Sequence, residues 1–383
     1  MERFYAKIYF KENNVVPETL EEHTENLLKE LERLKNLYRE EFTKLGVNDE
    51  FWGALKLSCL FHDLGKISSH FQRKIKKQLE QSVEIPAKLN KEIPHNYISG
   101  IFLYNEEVFK QLGEDESLFD MVLFSVLFHH IREIDFDETY LKRLFEKDIK
   151  PKIQSLIWLH EKYNIDISKI KDEAPSYVYE EIKSFVYNSS NKVTSLKRKK
   201  GFILLKGLLH RIDHSASAHL PVENKRIANA EKCLICYLSK KPDFMGLKDF
   251  QNQAKQLRDR NVLFTASTGI GKTEFAINWI GEDKAFYTLP VRVSVNAMYD
   301  RFVDIFSDEY IGLLHSDSLF YGLEKSESFD DFLSFEEHIT RMQTTRQLSM
   351  PITITTADQL FTAVFKYPGY EKIYATLMYS KVV

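Results

Sequence analysis

With 383 residues, 43% hydrophobic and 28% charged, the chain is long enough for two or three domains and has the balance of a globular protein with a sizeable core. Its formal net charge of −3 excludes an overall basic footprint, so any nucleic-acid binding must rest on local patches. No apolar run is long enough for a membrane span, the start MERFYAKIYFKENN lacks a signal-peptide pattern, and three cysteines make no disulfide framework, so the cytoplasm is the expected compartment.

Residues 1–240 read as mostly helical. Residues 18–45 place Leu20, Leu27, Leu31, Leu34, Tyr38, Phe42 and Leu45 in one stripe, with His23 on the same face. In LSCLFHDLGK (57–66), His62 continues the face of Phe51, Ala54, Leu55, Ser58 and Cys59, and Asp63 follows it. Gly65 either ends that helix or lets another segment approach closely. Pro94 suits a first helical position, which puts His95 in a first turn. Residues 118–131 are apolar nearly all round and predict a central helix that carries His129 and His130. A third strong helix is predicted over 201–220, with Asp213 on the apolar side, four residues after Leu209. Cys233 and Cys236 form a single C-x-x-C with no second ligand pair after it, and are expected as two small buried residues on a helix.

Burying a polar or charged group is costly unless it is paired or bound to an ion. His23, His62, Asp63, His95, His129, His130 and Asp213 all face predicted core, and a shared ligand explains this better than separate accidents. Imidazole and carboxylate donors suit Mn, Fe, Co, Ni or Zn rather than Ca. Seven donors are too many for one tetrahedral ion and fit two ions bridged by a carboxylate, with Asp63 the natural bridge. A site of that kind activates a water and clamps both oxygens of a phosphoryl displacement. Lys66, one turn after His62, is placed to meet a phosphate.

Near residue 241 the pattern changes to strands alternating with helices, which predicts a parallel α/β sheet. Strands are expected at 261–266, 284–290, 310–316 and 351–356. The stretch NVLFTASTGIGKTEFAI sets a phosphate-binding loop between strand and helix. Thr268, Gly269 and Gly271 belong to the cradle, Lys272 would reach the β/γ phosphates and Thr273 would hold Mg²⁺. Basic stretches at 72–77, 196–201 and 224–229 are solvated faces or, with Phe71 and Phe202, a track for a single strand.

The order H…HD-x-G-K…H…HH…D, ending in DHSAS (213–217), resembles the HD metal-dependent phosphohydrolases. More narrowly, it is similar to the HD nuclease domain of CRISPR-associated helicase–nucleases of type I systems. That family usually has a bulky aromatic after the last aspartate; here His214 stands there and is expected to pack. The A-x-T-G-x-G-K-T loop resembles superfamily 2 helicases, and LKDFQNQAKQL looks like their upstream glutamine element, with Gln251 as adenine reader. YTLPVRVSVNAMYDRF, LLHSDS and TITTADQLF resemble later helicase motifs that touch the nucleic-acid backbone, with Thr355, Thr356 and Asp358 near the strand path.

The resemblance implies an all-α HD domain over 1–240 and a partial RecA-like P-loop domain over 241–383. No Asp-Glu box follows an apolar strand after residue 274, so the chain is expected to be the N-terminal portion of a longer protein, with helicase activity only in the full length. The implied activity is metal-dependent cutting of single-stranded DNA, endo- or exonucleolytic, with Asp63 and Lys66 in catalytic roles. Two divalent transition-metal ions in the HD site, and ATP with Mg in the loop, are the implied cofactors. Single-stranded DNA and a crRNA-guided surveillance complex are the implied partners, with no membrane and a monomeric state. The alternatives are an HD phosphohydrolase of small nucleotides and a non-catalytic DNA- or partner-binding fragment.

Overall fold

The computed structural model describes residues 3–11, 14–130, 133–318, 321 and 332–383. The chain divides into two compact units, Met1–Glu32 with Gly46–Ala218, and Arg33–Leu45 with His219–Val383.

The first unit is helical apart from an N-terminal hairpin that sequence reasoning did not foresee. Strands β1 (Tyr5–Lys11) and β2 (Asn14–Thr19) pair antiparallel, with Lys7 opposite Glu18. Two β-prone runs around a polar ENN were the available signal. The helix Leu20–Leu37 follows directly, and Leu20, Leu27, Leu31 and Leu34 are buried as the stripe predicts. The helix does not run on to 45. It breaks at Tyr38 and resumes over Arg39–Lys44, and Leu45 is 43% exposed, contrary to its place in the stripe.

The helix Asp49–Phe61 starts where the Asn48 side chain accepts the Phe51 N–H at 3.0 Å, and it is buried on nearly every side. The apolar helix covers Glu116–Leu127, shorter than the predicted 118–131 segment, whose last residue lies outside the described residues. Asn96 supplies the stop: its Nδ2 donates to the Leu127 carbonyl at 2.5 Å and to that of His130 at 3.3 Å. His129 and His130 therefore sit in the bend after the helix rather than on it. The helix His95–Ile101 packs against this helix at Gly100, where a Cβ would come within 2.4 Å of Leu127 Cδ2. The third strong helix spans Lys200–Ala218.

The second unit holds a parallel sheet in the order β4–β5–β3–β6, from β3 (Ala285–Leu289), β4 (Ile311–Leu314), β5 (Ile352–Thr356) and β6 (Lys381–Val382). Three predicted strands thus form, and the one expected at 261–266 does not. That segment lines a cavity with Val382 and Val383, and Leu263 is 97% exposed. The helices Lys272–Ile280 and Arg292–Phe306 cover the sheet. The helix Ala230–Leu238 puts Ala230, Leu234 and Leu238 into the same core, so this unit begins upstream of the composition change near 241. That helix leaves Cys233 half-buried and Cys236 exposed, which corrects the expectation of two buried thiols. Among the described residues no helix is long and apolar enough to cross a membrane.

Candidate metal centre

The seven residues singled out in the first unit converge. His62 caps the end of Asp49–Phe61, and the chain turns at Asp63 into a short 3₁₀ turn, Leu64–Ile67. That turn lets two consecutive side chains enter one cluster. Gly65 permits it: a Cβ there would sit 2.1 Å from the His95 carbonyl oxygen. Of the two readings of Gly65, the close approach is the one observed. Its N–H also donates to Ser99 Oγ at 2.9 Å, which fixes the turn against the helix His95–Ile101.

Asp63 lies at the centre, 3% exposed. Its Oδ2 is 3.4 Å from His23 Nε2 and 3.3 Å from His62 Nε2. Its Oδ1 is 3.2 Å from His95 Nε2 and 3.9 Å from His129 Nε2. Asp213 Oδ1 faces the first pair, at 3.5 Å from His23 and 3.7 Å from His62. The donors fall into two groups, each with its ligand atoms within 4.8 Å of one another: His23, His62, Asp63 and Asp213, and His95, His129 and His130.

The hydrogen bonds at the far side of the rings fix which nitrogen faces the cluster. His62 Nδ1 donates to the Cys59 carbonyl at 3.0 Å and His129 Nδ1 to the Val126 carbonyl at 2.7 Å. His23 Nδ1 donates to Glu18 Oε1 at 3.1 Å. Each leaves Nε2 as the atom presented to the cluster. The Nε2 atoms of His23, His62, His95 and His129 are buried and make no hydrogen bond among the described residues. Four orphaned imidazole nitrogens around two carboxylates fit divalent transition-metal ions in number and chemistry.

The electrostatics fit as well. Burial disfavours a charged His62, but the Asp63 and Asp213 carboxylates outweigh it and push its imidazole up to about 10. Burial also opposes ionisation of Asp63, yet the His62 and Lys66 charges hold its carboxyl well below the usual range. Asp213 behaves alike: burial is overcome by the His23 and His62 imidazoles beside its carboxylate. Burial and the neighbouring His62 keep His129 well below the ordinary imidazole range. Protons and Lys66 thus balance the carboxylates here, as cations do in a ligated cluster.

Lys66 points into this cluster, with Nζ 2.5 Å from Asp63 Oδ2 and 5.4 Å from the centre of the Phe71 ring. Phe71 in turn contacts His95 edge-on at 5.6 Å. Beyond it, His70, Arg73, Lys74, Lys77 and Lys88 line a cavity of about 560 Å³. Phe202, the other aromatic named for a strand track, is 1% exposed and takes no part in a surface. Arg226 of the 224–229 patch is committed to Glu41, Asp283 and two backbone carbonyls. His214 is exposed and stacks on His210 at 6.1 Å. Sequence reasoning passed over His210, which is buried on Lys200–Ala218 three residues before Asp213. It also missed Glu18 and Lys7, because the hairpin that carries them was not anticipated.

In the second unit the loop before Lys272–Ile280 has Gly269 at φ +80° and Gly271 at φ +109°, values that favour glycine. Thr268 lies in the turn, and Thr273 is 9% exposed in the first helical turn. Lys272 Nζ folds back onto the Ala266 and Ser267 carbonyls at 3.0 and 3.1 Å, spanning the loop. Gln251 lies against this loop rather than reaching outward. Its Nε2 donates to the Gly271 carbonyl at 3.2 Å and its Oε1 accepts the Lys248 N–H at 2.8 Å. Thr355 and Thr356 are buried at the end of β5, with Asp358 two residues on.

Comparison with known proteins gives a consistent result. The profile of the family described as "Cas3, HD domain" matches residues 23–217. A "CRISPR-associated nuclease/helicase Cas3" of Methanothermobacter thermautotrophicus is 26% identical over 412 residues, covering 95% of this chain and 48% of the relative. A relative from Methanocaldococcus jannaschii, provisionally given the same name, is 28% identical over 342 residues, covering 78% of this chain and 45% of the relative. The chain therefore spans about half the length of these curated relatives. The crystal structure of Cas3 from T. fusca with ATP has the same fold at a TM-score of 0.59, with 17% identity, over 99% of this chain and 46% of that one.

Proposed function

This chain belongs to the Cas3 HD-domain family, and from that premise we propose that its histidine–aspartate cluster hydrolyses phosphodiester bonds of single-stranded DNA with two divalent ions. The observation that carries this reading is the set of four orphaned Nε2 atoms arranged around both oxygens of Asp63.

His23, His62, Asp63 and Asp213 would hold one ion, and His95, His129 and His130 the other, with Asp63 shared. Such ions supply Lewis-acid stabilisation of a phosphoryl oxygen and a nucleophilic water at neutral pH. The chain's own residues do the rest. Asp63 and Asp213 provide negative charge that favours dications over protons. His62 would hold an ion at Nε2 in place of a proton, so binding would release a proton and strengthen as pH rises. Lys66, whose Nζ lies 2.5 Å from Asp63 Oδ2, orients a phosphate by point charge. Arg73, Lys77 and Lys88 carry the backbone of the strand towards Phe71, whose ring stacks on a base.

The family also supports two wider readings. In the whole protein a P-loop motor driven by ATP feeds the strand to this site, and a crRNA-guided surveillance complex recruits it. Lys272 and Thr273 would then hold the β/γ phosphates and Mg²⁺. The two activities are separable in this chain. Lys272→Ala is expected to change ATP-independent cutting of bare strands by less than about two-fold, a change of under about 0.4 kcal/mol. A gel assay of the folded variant checks this, and loss of cutting would mean that the loop acts on the HD site.

The test of the main reading is incubation of circular single-stranded DNA with this chain without ATP, in Mn²⁺, Ni²⁺ or Mg²⁺. A closed circle excludes action on ends. Metal-dependent nicking abolished by EDTA is expected. Hydrolysis of small nucleotides with no nicking would replace the DNA reading with the small-nucleotide one.

A further inference from the structure

The N-terminal hairpin lies before residue 23, outside the part of the chain that matches the family. It nevertheless touches the cluster's surroundings from two sides. Lys7 of β1 stands opposite Glu18 of β2 in the pairing register, with Nζ 3.1 Å from Glu18 Oε2. Glu18 is 4% exposed, and its Oε1 accepts from His23 Nδ1 at 3.1 Å and from Asn26 Nδ2 at 3.2 Å. An ionised carboxylate can only accept, so His23 carries a proton on Nδ1 and turns its Nε2 towards Asp63 and Asp213. The Nδ1 atoms of His62 and His129 donate to backbone carbonyls three residues earlier. His23 instead depends on a side chain from the hairpin.

The second contact runs through Lys7. Its Nζ donates to the Ala216 carbonyl at 3.2 Å and the Ser217 carbonyl at 2.8 Å, at the end of the helix Lys200–Ala218. Ser217 Oγ donates back to Asp213 Oδ1 at 3.2 Å. One ion pair on the hairpin therefore joins the supports of His23 and Asp213, whose Nε2 and Oδ1 lie 3.5 Å apart in the same group of donors. Gln72 fastens the hairpin in place: its Oε1 accepts the Tyr5 N–H at 3.1 Å, and its Nε2 donates to the Tyr5 and Lys66 carbonyls at 2.9 and 2.8 Å.

We propose that Glu18 and Lys7 are positioning residues for the ion held by His23, His62, Asp63 and Asp213: Glu18 fixes the tautomer and plane of His23, and Lys7 locks the Asp213 end of its helix against Glu18. This rests on the metal reading above. Partners of this kind orient a ligand and raise its basicity, and their loss costs about 10–100-fold in metal affinity.

The experiment uses the whole chain. Mn²⁺ binding is followed by EPR titration, and the His23 tautomer by ¹⁵N NMR of histidine-labelled, metal-free protein. Glu18→Ala is expected to weaken the tighter Mn²⁺ by about 10–100-fold and to mix the two neutral tautomers of His23. Glu18→Gln, whose amide oxygen still accepts from Nδ1, should keep the Nδ1–H tautomer and recover most of that affinity. Lys7→Met should weaken Mn²⁺ while leaving the His23 tautomer unchanged. Melting in EDTA reports folding; if Glu18→Ala does not fold, the split between tautomer and affinity in Lys7→Met decides. Full Mn²⁺ affinity with an unchanged tautomer in folded Glu18→Ala overturns the proposal. A wild-type chain that binds no Mn²⁺ contradicts the metal reading, and the tautomer measurement then still decides the role of Glu18.

Discussion

Asp63→Ala is expected to reduce metal-dependent nicking by more than about 100-fold, since even the outer partners of metal ligands cost 10–100-fold when lost. The reason is geometric. Among the described residues, Asp63 is the one whose two oxygens face different sets of donors, His23 and His62 from Oδ2 and His95 and His129 from Oδ1. Removing it takes a ligand from both groups at once, whereas Asp213→Ala strips only the group of His23 and His62. The fold should survive. The cost is confined to the attractions of His62 and Lys66, which outweigh the burial of the Asp63 carboxylate, while the buried apolar side chains of Asp49–Phe61 are untouched. Nicking assays beside circular dichroism check both halves. A folded variant that cuts at the wild-type rate would mean that Asp63 is a structural acid and that the centre lies elsewhere.

Gly65→Ala is expected to lower the stability of the first unit by about 1–3 kcal/mol, the usual cost of forcing an extra methyl into a packed site. The new Cβ would meet backbone, 2.1 Å from the His95 oxygen and 2.9 Å from its carbonyl carbon, not the movable end of a side chain. Either the Leu64–Ile67 turn or the start of His95–Ile101 must shift, and Asp63 directly precedes the turn while His95 begins the helix. A displacement near 1 Å at a reacting centre costs about 100-fold in rate. Denaturant melting and the nicking assay should therefore both register the change. Loss of stability with full activity would show that the close approach serves packing alone.

Much of the centre was legible in the sequence because buried imidazoles and carboxylates are rare enough to be informative one by one. Helical spacing placed His23, His62 and Asp213 on core-facing sides, and all three are buried. The adjacency of His129 and His130 was visible, but their position just past a helix end was not. It depends on the Asn96 side chain taking the Leu127 carbonyl, a contact across 31 residues. Glu18 and Lys7 escaped notice for a related reason. Their meaning comes from strand register and from Ser217, some 200 residues away, and periodicity carries no information about such distant partners. In the second unit the glycine-bearing loop was legible because positive φ demands glycine. The strand expected at 261–266 does not form because a β-prone run becomes a strand only beside a partner edge, and among the described residues no ladder pairs with this run.

The count of ions bound tests the central claim most directly. The chain, stripped with chelator and reloaded, would be titrated with Mn²⁺ and its bound metal counted by EPR and by elemental analysis, beside Asp63→Ala. Two Mn²⁺ per wild-type chain, with both lost or greatly weakened in the variant, is the predicted result. A wild-type chain that binds none, or a variant that still binds two, would contradict a bridged pair of ions at Asp63.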